Sequence, residues 1–306
     1  MLQTTVRYRG RCNLRILVTG AGGLVGTALV RHCTAAGDDV LGHTHQSLDI
    51  TDLRRLTDIA SEFGPEAIIN CAAWTDVDGC ESNSEKAEAA NAVGPENLAR
   101  VSRTLNALLI TISTDYVFDG TKEGFYTQRD DPNPQSVYGW SKLEGERRAQ
   151  LASARTIIVR TGYIFGKGGR NFLSTVVERA RRGEELKVIT DTCGTPTYAP
   201  DLAARLRELA QLDLPGTYHV VSDGNGATFE DFTRVALKVA QCDTKLVPVT
   251  SASLGRPAPR PRNSRLKCLL SEALHLQPLP SWQDCLAQFV KETPVGASLR
   301  GRPSSV

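Results

Sequence analysis

The chain has 306 residues, of which 41% are hydrophobic and 23% are charged, and its formal net charge is only +2. This is the composition of an ordinary globular protein, and its charge provides no global field that would favour nucleic acid or an anionic membrane surface. No apolar run approaches the roughly 18–20 residues of a membrane-spanning helix, so we expect no nucleic-acid partner and no membrane partner.

Residues 1–13 are basic but lack the apolar stretch of a secretory signal, and we expect a disordered extension there. Residues 292–306 lack apolar periodicity and predict a second disordered segment. The eight cysteines form no CxxC pair and no metal-like spacing with histidine. We therefore expect no metal site and a reducing, cytoplasmic location.

The segment LRILVTGAGGLVGTALVRHCTAAGDDVLGH begins at residue 14 and reads as strand, glycine turn, amphipathic helix and second strand. Its glycines at 20, 23 and 26 give the spacing GxxGxxG. Glycine allows the backbone to turn tightly and to approach a pyrophosphate that faces the following helix N-terminus. The pattern favours a dinucleotide site; the alternative is a glycine-rich turn without a ligand.

Strands and helices continue to alternate through EAIINCAAW, SEKAEAANAVGPENLARVSRTL and ALLITISTDYVF. This alternation predicts an α/β fold, namely a doubly wound parallel sheet of the Rossmann type. Asp49, Cys71 to Thr75 and Ser113 to Tyr116 follow strand-like runs. Because ligands bind at the carboxyl ends of such strands, we expect these three clusters to converge on one cleft.

The predicted second strand ends in Gly42, His43, Thr44 and His45, where NAD-binding proteins place a carboxylate for the ribose. The missing acid removes repulsion against a 2′-phosphate and favours NADPH, although no arginine takes its place and NADH is possible. The two histidines could equally be solvated loop residues.

In VYGWSK, Tyr138 and Lys142 are four residues apart and would share one face of a helix. A nearby ammonium favours the phenolate, so we expect Lys142 to lower the pKa of Tyr138 and to make it an acid–base group. The alternative is a surface tyrosine packed against the lysine stem.

The second half predicts a smaller subdomain that is interleaved with the first. We expect the dinucleotide-binding domain over residues 14–165, with its sheet completed by later segments, and mainly a substrate-binding subdomain over residues 166–291. Asn171 begins an amphipathic helix, and the basic, proline-broken GRPAPRPRNSRL suits a diphosphate. We expect Arg262, with Asn263, to contact the ligand or to belong to a lid; the alternative is a solvated connecting loop.

The stretches TGAGGLVG, CAAWTDVD, STDYVFDG, VYGWSK and TPTYAPDLA occur in this order, and together they resemble the extended short-chain dehydrogenase/reductases. More narrowly, the chain resembles the dTDP-4-dehydrorhamnose reductase family over roughly residues 14–290. This resemblance implies NADPH-dependent reduction of the C4 ketone of a dTDP-4-keto-6-deoxy-sugar, of the type that converts dTDP-4-dehydrorhamnose to dTDP-L-rhamnose. The hydride would come from the nicotinamide and the proton from Tyr138.

The resemblance also implies roles for the matching positions. The catalytic residues would be Thr114, Tyr138 and Lys142. The cofactor contacts would be Gly20, Gly22, Gly23, Leu24, Val25, Gly26, Asp49, Ile50, Cys71, Ala72, Ala73, Thr75, Asn91, Tyr138 and Lys142. The nucleotide-sugar substrate would contact Thr114, Asp115, Tyr116, Tyr163, Asn171 and Arg262. Asn91 would support the lysine through water, or it could kink or cap its own helix.

Two positions depart from the family pattern. Tyr163 stands where some members have tryptophan, which could change the accepted sugar or base. Ala28 replaces a glutamate that some members use for a metal at a dimer contact, so we expect a monomer or a homodimer without that metal.

Other functions remain open from the sequence. Thr114, Asp115 and Tyr116 lack the glutamate of a sugar-nucleotide dehydratase, which disfavours dehydration. Another nucleotide-sugar epimerase or reductase is an alternative. So is a cofactor-binding regulator resembling the β subunit of methionine adenosyltransferase, which shares the tyrosine–lysine pair.

Overall fold

The structure is a computed structural model that describes residues 13–292. The expectations for the first 12 residues and for residues 293–306 lie outside the described part of the chain. Glu292, which we assigned to the disordered tail, is instead the last residue of the last helix.

The order of elements confirms the expected α/β fold. Twelve strands are present in the described residues: β1 Arg15–Thr19, β2 Asp39–His43, β3 Ala67–Asn70, β4 Leu108–Thr114, β5 Thr156–Thr161, β6 Ile164–Phe165, β7 Leu186–Ile189, β8 Cys193–Gly194, β9 Thr197–Tyr198, β10 Gly216–His219, β11 Ala227–Thr228 and β12 Leu246–Val249. The same range contains eleven α-helices: α1 Leu24–Ala35, α2 Leu53–Phe63, α3 Val77–Ser82, α4 Ser84–Glu88, α5 Gly94–Thr104, α6 Val137–Ala152, α7 Phe172–Arg181, α8 Ala199–Leu212, α9 Phe229–Ala240, α10 Leu269–Ala273 and α11 Trp282–Glu292.

The central sheet has six strands in the order β10-β5-β4-β3-β1-β2, and every pair in it is parallel. The order reverses beside β1, which places a topological switch point at the end of that strand. Polar residues that follow β1, β3 and β4 therefore meet at one edge of the sheet.

Both faces of this sheet are covered, which explains why its strands read as continuous apolar runs. In β1, Ile16 and Val18 face a cluster formed with α1 and α8, whereas Leu17 faces a cluster formed with α2, α5 and α6. All three side chains are fully buried. Two later elements, α8 and β10, thus complete the layers begun by the first half.

The remaining elements of the second half form a smaller unit with its own core. Helices α7, α9 and α11 pack with β7 and with aromatic residues that include Phe165 and Tyr198. The short strands pair locally, β12 with β7 and β11 with β8. Among the described residues, no helix combines the length and the apolar character needed to cross a bilayer.

Candidate functional site

The glycine turn brings two backbone segments unusually close together. Gly20 adopts a φ of +69°, and a Cβ built there would lie 2.6 Å from the Ala72 amide nitrogen. A Cβ on Gly26 would lie 2.2 Å from the Gly20 carbonyl oxygen. Only glycine fits such a cradle, and Gly23 precedes the first residue of α1, so the turn presents a helix N-terminus to a ligand.

A groove of about 840 Å³ runs along this turn, and we call it the glycine-turn groove. It contains several of the predicted cofactor residues: Gly20, Gly22, Gly23, Asp49, Ile50, Cys71, Ala72 and Ala73. The backbone amide and the hydroxyl group of Thr51 donate hydrogen bonds to Asp49 at 2.9 and 2.8 Å. The hydrogen bond from the amide is the main reason that the pKa of Asp49 is lowered. The charged Asp49 carboxylate is therefore available to accept hydrogen bonds from hydroxyl groups of a ligand.

One arginine near the second strand was missed by the sequence analysis. Burial first, and then the positive charge of Arg55, lower the pKa of His43. Arg55 lies in the first turn of α2, so the fold brings its guanidinium close to His43, the last residue of β2. Lys86 also lines the groove, with its ammonium 4.5 Å from the centre of the Trp74 ring. Both residues lie well beyond β2 in the chain, so the sequence around the end of β2 did not indicate that these cations would lie near it.

A second cavity of about 480 Å³ joins the groove through Gly23, Cys71, Ala72 and Ala73, and we call it the tyrosine cavity. Leu24, Val25 and Thr75 line it on the groove side, and Thr114, Tyr138 and Lys142 form another part of its wall. Of the three strand-end clusters, Asp49 lines the groove, Ser113 to Tyr116 line the tyrosine cavity, and Cys71 to Ala73 line both. The clusters therefore meet at two cavities that share residues rather than at one cleft. The roles of the individual residues remain predictions.

Helix α6 aims Tyr138 and Lys142 into the tyrosine cavity. Ser136 caps the helix by accepting a hydrogen bond from the Gly139 amide at 3.1 Å, which fixes the first turn that carries Tyr138. Lys142 lies one turn later on the same face, and both side chains are more than 90% buried. The surface alternative for this pair is therefore wrong.

The expectation that Lys142 lowers the pKa of Tyr138 is also wrong for this structure. Burial raises the pKa of Tyr138, and the hydrogen bond with Thr114 opposes that shift only in part. The Lys142 ammonium instead donates to the Ile112 carbonyl oxygen at 2.7 Å. Burial lowers the pKa of Lys142 to about 8, although the charge of Glu146 opposes this shift.

Glu146 belongs to a buried network that the sequence analysis missed. It forms an ion pair with Arg160 at 2.7 Å and accepts a hydrogen bond from Ser113. Its position, one further turn along the face of Tyr138 and Lys142, could have been read from the helical period. The network places a buried negative charge behind Lys142.

Asn91, which we expected to contact the cofactor, lines neither cavity, but its side chain supports neighbouring elements that do. It lies in a π-helical turn, Ala89–Val93, between α4 and α5. Its side chain accepts from the Trp74 amide at 2.9 Å and donates to the Trp74 carbonyl and the Ser141 hydroxyl, each at 3.0 Å. Ser141 precedes Lys142, so Asn91 ties the loop after β3 to the helix of the lysine.

The predicted substrate residues lie in different surroundings. Asp115, Tyr116, Tyr163 and Asn171 all line the tyrosine cavity. Burial raises the pKa of Asp115 to about 6. Tyr163 adopts a φ of +48°, an uncommon conformation for a side chain other than glycine, and its ring lies 5.0 Å from Phe229.

Arg262 differs from the expectation, whereas Asn171 lines the tyrosine cavity and its contact with the substrate stays a prediction. The Asn171 side chain caps α7 by accepting a hydrogen bond from the Ser174 amide at 2.9 Å, and it donates to the Ile164 carbonyl at 2.8 Å. Both of its polar side-chain atoms thus have partners within the protein. The Arg262 side chain is exposed and does not line the cavity. Its backbone carbonyl accepts from the Cys193 amide at 2.8 Å, so the backbone of this residue is held by β8.

Arg260, in the same basic segment, does not line the cavity itself but contacts a residue that does. Its guanidinium pairs with Asp78 and interacts with the Tyr116 hydroxyl at the cavity. Nothing in the alternation of proline and arginine distinguishes these two arginines, since the choice depends on the distant Asp78.

A parallel sheet with a glycine cradle at its switch point, and a tyrosine and lysine one helical turn apart beside it, define an extended short-chain dehydrogenase/reductase. Residues 14–295 match the family described as the RmlD substrate binding domain, and the chain belongs to that family.

Similar proteins agree with this assignment. The chain is 37% identical to the dTDP-4-dehydrorhamnose reductase of Mycobacterium tuberculosis over 279 residues, which are 89% of this chain and 91% of that protein. It is 34% identical to the spore coat polysaccharide biosynthesis protein SpsK of Bacillus subtilis, covering 91% of this chain and 97% of that protein.

A solved structure is also similar over nearly the whole chain. It is the dTDP-4-dehydrorhamnose reductase of Bacillus anthracis in complex with NADP, with a TM-score of 0.89 and 33% identity, covering 92% of this chain and 100% of that one.

Proposed function

We propose that this protein uses NADPH to reduce the C4 ketone of a dTDP-4-keto-6-deoxy-sugar. The observation that carries the proposal is that Thr114, Tyr138 and Lys142 form one wall of a cavity that is continuous with the glycine-turn groove. Relatives that are named dTDP-4-dehydrorhamnose reductases support the substrate class, and the relative in complex with NADP supports the cofactor.

The glycine cradle fits a dinucleotide, since Cβ atoms at Gly20 and Gly26 would occupy the space in which the chain turns. Gly22 and Gly23 would face the pyrophosphate, and Asp49 would accept ribose hydroxyls. Arg55 and His43 would face a 2′-phosphate. When bound, NADPH supplies the hydride that reduces the ketone carbon.

The protein's own residues would manage the oxygen of the ketone. Tyr138 and Thr114 would donate hydrogen bonds to this oxygen as negative charge grows on it. A raised pKa keeps the Tyr138 phenol neutral at pH 7, which suits a group that must give a proton to the alkoxide. The Lys142 ammonium would hold ribose hydroxyls and place the cofactor relative to Tyr138.

Asp115, Tyr116 and Tyr163 also line the tyrosine cavity and would bind the nucleotide sugar, with Tyr163 and Phe229 offering an aromatic surface. We also propose that the protein acts in the cytoplasm, since the seven cysteines in the described residues are all free. A monomer or a homodimer is expected, and light scattering of the purified protein would distinguish them.

The test is to incubate the protein with NADPH and a dTDP-4-keto-6-deoxy-sugar, to follow oxidation of the cofactor and to identify the product by NMR. We expect one sugar hydroxyl to form for each NADPH consumed. The corresponding UDP-sugar tests the choice of base. Tight NADPH binding without any turnover would contradict the proposal and favour the cofactor-binding regulator.

A further inference from the structure

The proline-rich loop 255–261 packs through buried Ala258 and Pro261 and makes its polar side-chain contacts at one small site. Three of its residues are prolines and therefore have no N–H group to donate. Apart from the turn bond from the Gly255 amide to the Ala252 carbonyl, its polar contacts with other described residues converge on Asp78 and Tyr116. Asp78 and Tyr116 thus supply the polar side-chain contacts that hold the loop beside Tyr116, a residue that lines the tyrosine cavity.

Both carboxylate oxygens of Asp78 accept hydrogen bonds from the loop. Its two carboxylate oxygens accept from the two Arg260 Nη atoms at 2.6 and 2.7 Å, and the Ala258 amide donates to Oδ1 at 3.1 Å. The bidentate geometry is the stronger form of an ion pair. Arg260 also donates to the Ala258 carbonyl at 2.6 Å, which closes the loop on itself. We call Asp78, Ala258 and Arg260 the clasp.

The clasp joins two parts of the candidate site. Asp78 lies in the first turn of α3, directly after Val77, which lines the tyrosine cavity. On the other side, the Arg260 guanidinium interacts with the Tyr116 hydroxyl. The Tyr116 ring lies edge-to-face with Tyr138, with 6.1 Å between the ring centres. A continuous series of contacts therefore runs from Asp78 to the predicted proton donor.

The surroundings suit a contact that positions other groups. The Arg260 side chain is only 11% exposed and that of Asp78 is 34% exposed, so the pair is partly shielded from solvent. Such a pair is more sensitive to the loss of one partner than an exposed one. Beyond the loop, residues 262–264 are held separately by backbone hydrogen bonds with Cys193, so the clasp is not required to anchor that segment.

We propose that the clasp holds loop 255–261 against Tyr116 and that Arg260 is a positioning residue, which acts through Tyr116 on the placement of the sugar nucleotide beside Tyr138. This inference rests on the proposed reductase function. It assigns a specific task to the basic segment, namely the positioning of Tyr116 on the substrate side of the cavity. The cofactor side, formed by the glycine turn, is independent of the clasp.

The main test compares Arg260→Gln with the wild type in steady-state kinetics and in NADPH binding. We expect kcat/KM for the sugar nucleotide to fall about tenfold or more, with NADPH affinity within about twofold. Arg260→Lys keeps the charge but not the bidentate geometry, and it should recover part of the loss. Arg100→Gln is the matched control, because it removes an ion pair with Glu96 on the surface of α5 and should leave all parameters unchanged.

The route through Tyr116 is tested by a double-mutant cycle. In a Tyr116→Phe background, Arg260→Gln should cost clearly less than it does alone, because the hydroxyl through which it acts is already missing. Equal costs in both backgrounds would overturn the assigned route. An Arg260→Gln protein with wild-type kcat/KM would overturn the whole proposal.

Hydrogen exchange tests the clasp without any turnover. Only Gly255, Arg256, Ala258 and Arg260 carry amides in loop 255–261, so the signal of Ala258 is easily resolved. Asp78→Ala should accelerate exchange at Ala258, and unchanged exchange would contradict the clasp. If the wild type binds NADPH but turns over no sugar, the reductase function is refuted. The clasp is then judged by this exchange and by dTDP affinity, and an unchanged dTDP affinity in Arg260→Gln would overturn it.

Discussion

Tyr138 and Lys142 both line the tyrosine cavity, and burial shifts the pKa of each side chain in the direction that favours its neutral form. For Tyr138 this raises the pKa, so the phenol keeps its proton at pH 7. For Lys142 it lowers the pKa to about 8 from 10.5, so the ammonium is close to losing its charge. Residue spacing predicted that the two would be neighbours, but the sign of the tyrosine shift depended on burial that spacing does not reveal.

Replacing Tyr138 with phenylalanine tests the proton donor. Because only the hydroxyl is removed, we expect NADPH affinity to remain within about twofold, while kcat falls by about 10²–10⁴-fold. Steady-state kinetics and cofactor titration measure the two effects. Tyr218→Phe is the control, since it removes a buried hydroxyl that donates to the Leu214 carbonyl far from the cavity. A Tyr138→Phe enzyme with normal turnover would remove this residue from the mechanism.

The charge of Glu146 should control the pH range in which Lys142 is active. As pH rises through about 8, Lys142 loses its proton, and we expect kcat/KM to decline over that range. Glu146→Gln removes a charge that raises the pKa of Lys142, so the decline should begin at lower pH. The same change leaves Arg160 buried without its partner and should lower the free energy of unfolding by about 3–5 kcal/mol.

The pH profile and urea denaturation measure these two effects. Glu144→Gln on the same helix is the control, because Glu144 pairs with Arg148 at the surface. A profile that is identical in Glu146→Gln and the wild type would contradict the role of this charge. Since the folded-state pKa of Lys142 lies below 10.5, the group opposes folding at neutral pH. This cost disappears as pH rises from about 8 towards 10.5.

At the scale of elements, the β1–turn–α1 unit was the most predictable part of the molecule, because its glycine spacing, apolar strand and amphipathic helix all indicate the same structure. The helical region from Ser84 to Thr104 was predicted as one helix. The structure interrupts it with the π-helical turn that contains Asn91, and the cause is tertiary: the Asn91 side chain bonds to Trp74 and Ser141, which are distant in sequence.

Gly26→Ala tests the glycine cradle. The new methyl group would meet the Gly20 carbonyl oxygen at 2.2 Å, so the turn must move. We expect NADPH affinity to fall about tenfold or more, and the free energy of unfolding to fall by about 1–3 kcal/mol. Gly183→Ala is the control, because that glycine also has a positive φ but nothing lies within 4 Å of the added carbon. It should lower stability slightly without changing NADPH affinity, whereas an unaffected Gly26→Ala protein would contradict a close cofactor approach.

At the scale of the whole molecule, the chain crosses between its two units more than once. The sequence predicted an interleaved subdomain and a sheet completed by later segments, without saying which ones. In the structure α8 and β10 return to the central sheet after β6, α7 and β7 have entered the smaller unit. Continuous apolar runs identify such strands but not their neighbours. The choice of Arg260 over Arg262 has the same origin, since it depends on a partner about 180 positions earlier in the chain.

This interleaving predicts how ligands should protect the protein from hydrogen exchange. The tyrosine cavity is lined by Thr114 and Tyr138 from the sheet unit and by Phe172 and Phe229 from the smaller unit. NADPH should therefore protect the turn at Gly20 and the loop after β3, with little effect on α7 and α9. Addition of a dTDP-sugar should extend protection to those two helices, because its sugar and base would bridge the units. Exchange measured with NADPH alone, with dTDP-sugar alone and with both separates these effects. Protection of α7 and α9 by NADPH alone would contradict the division of the cavity into a cofactor side and a substrate side.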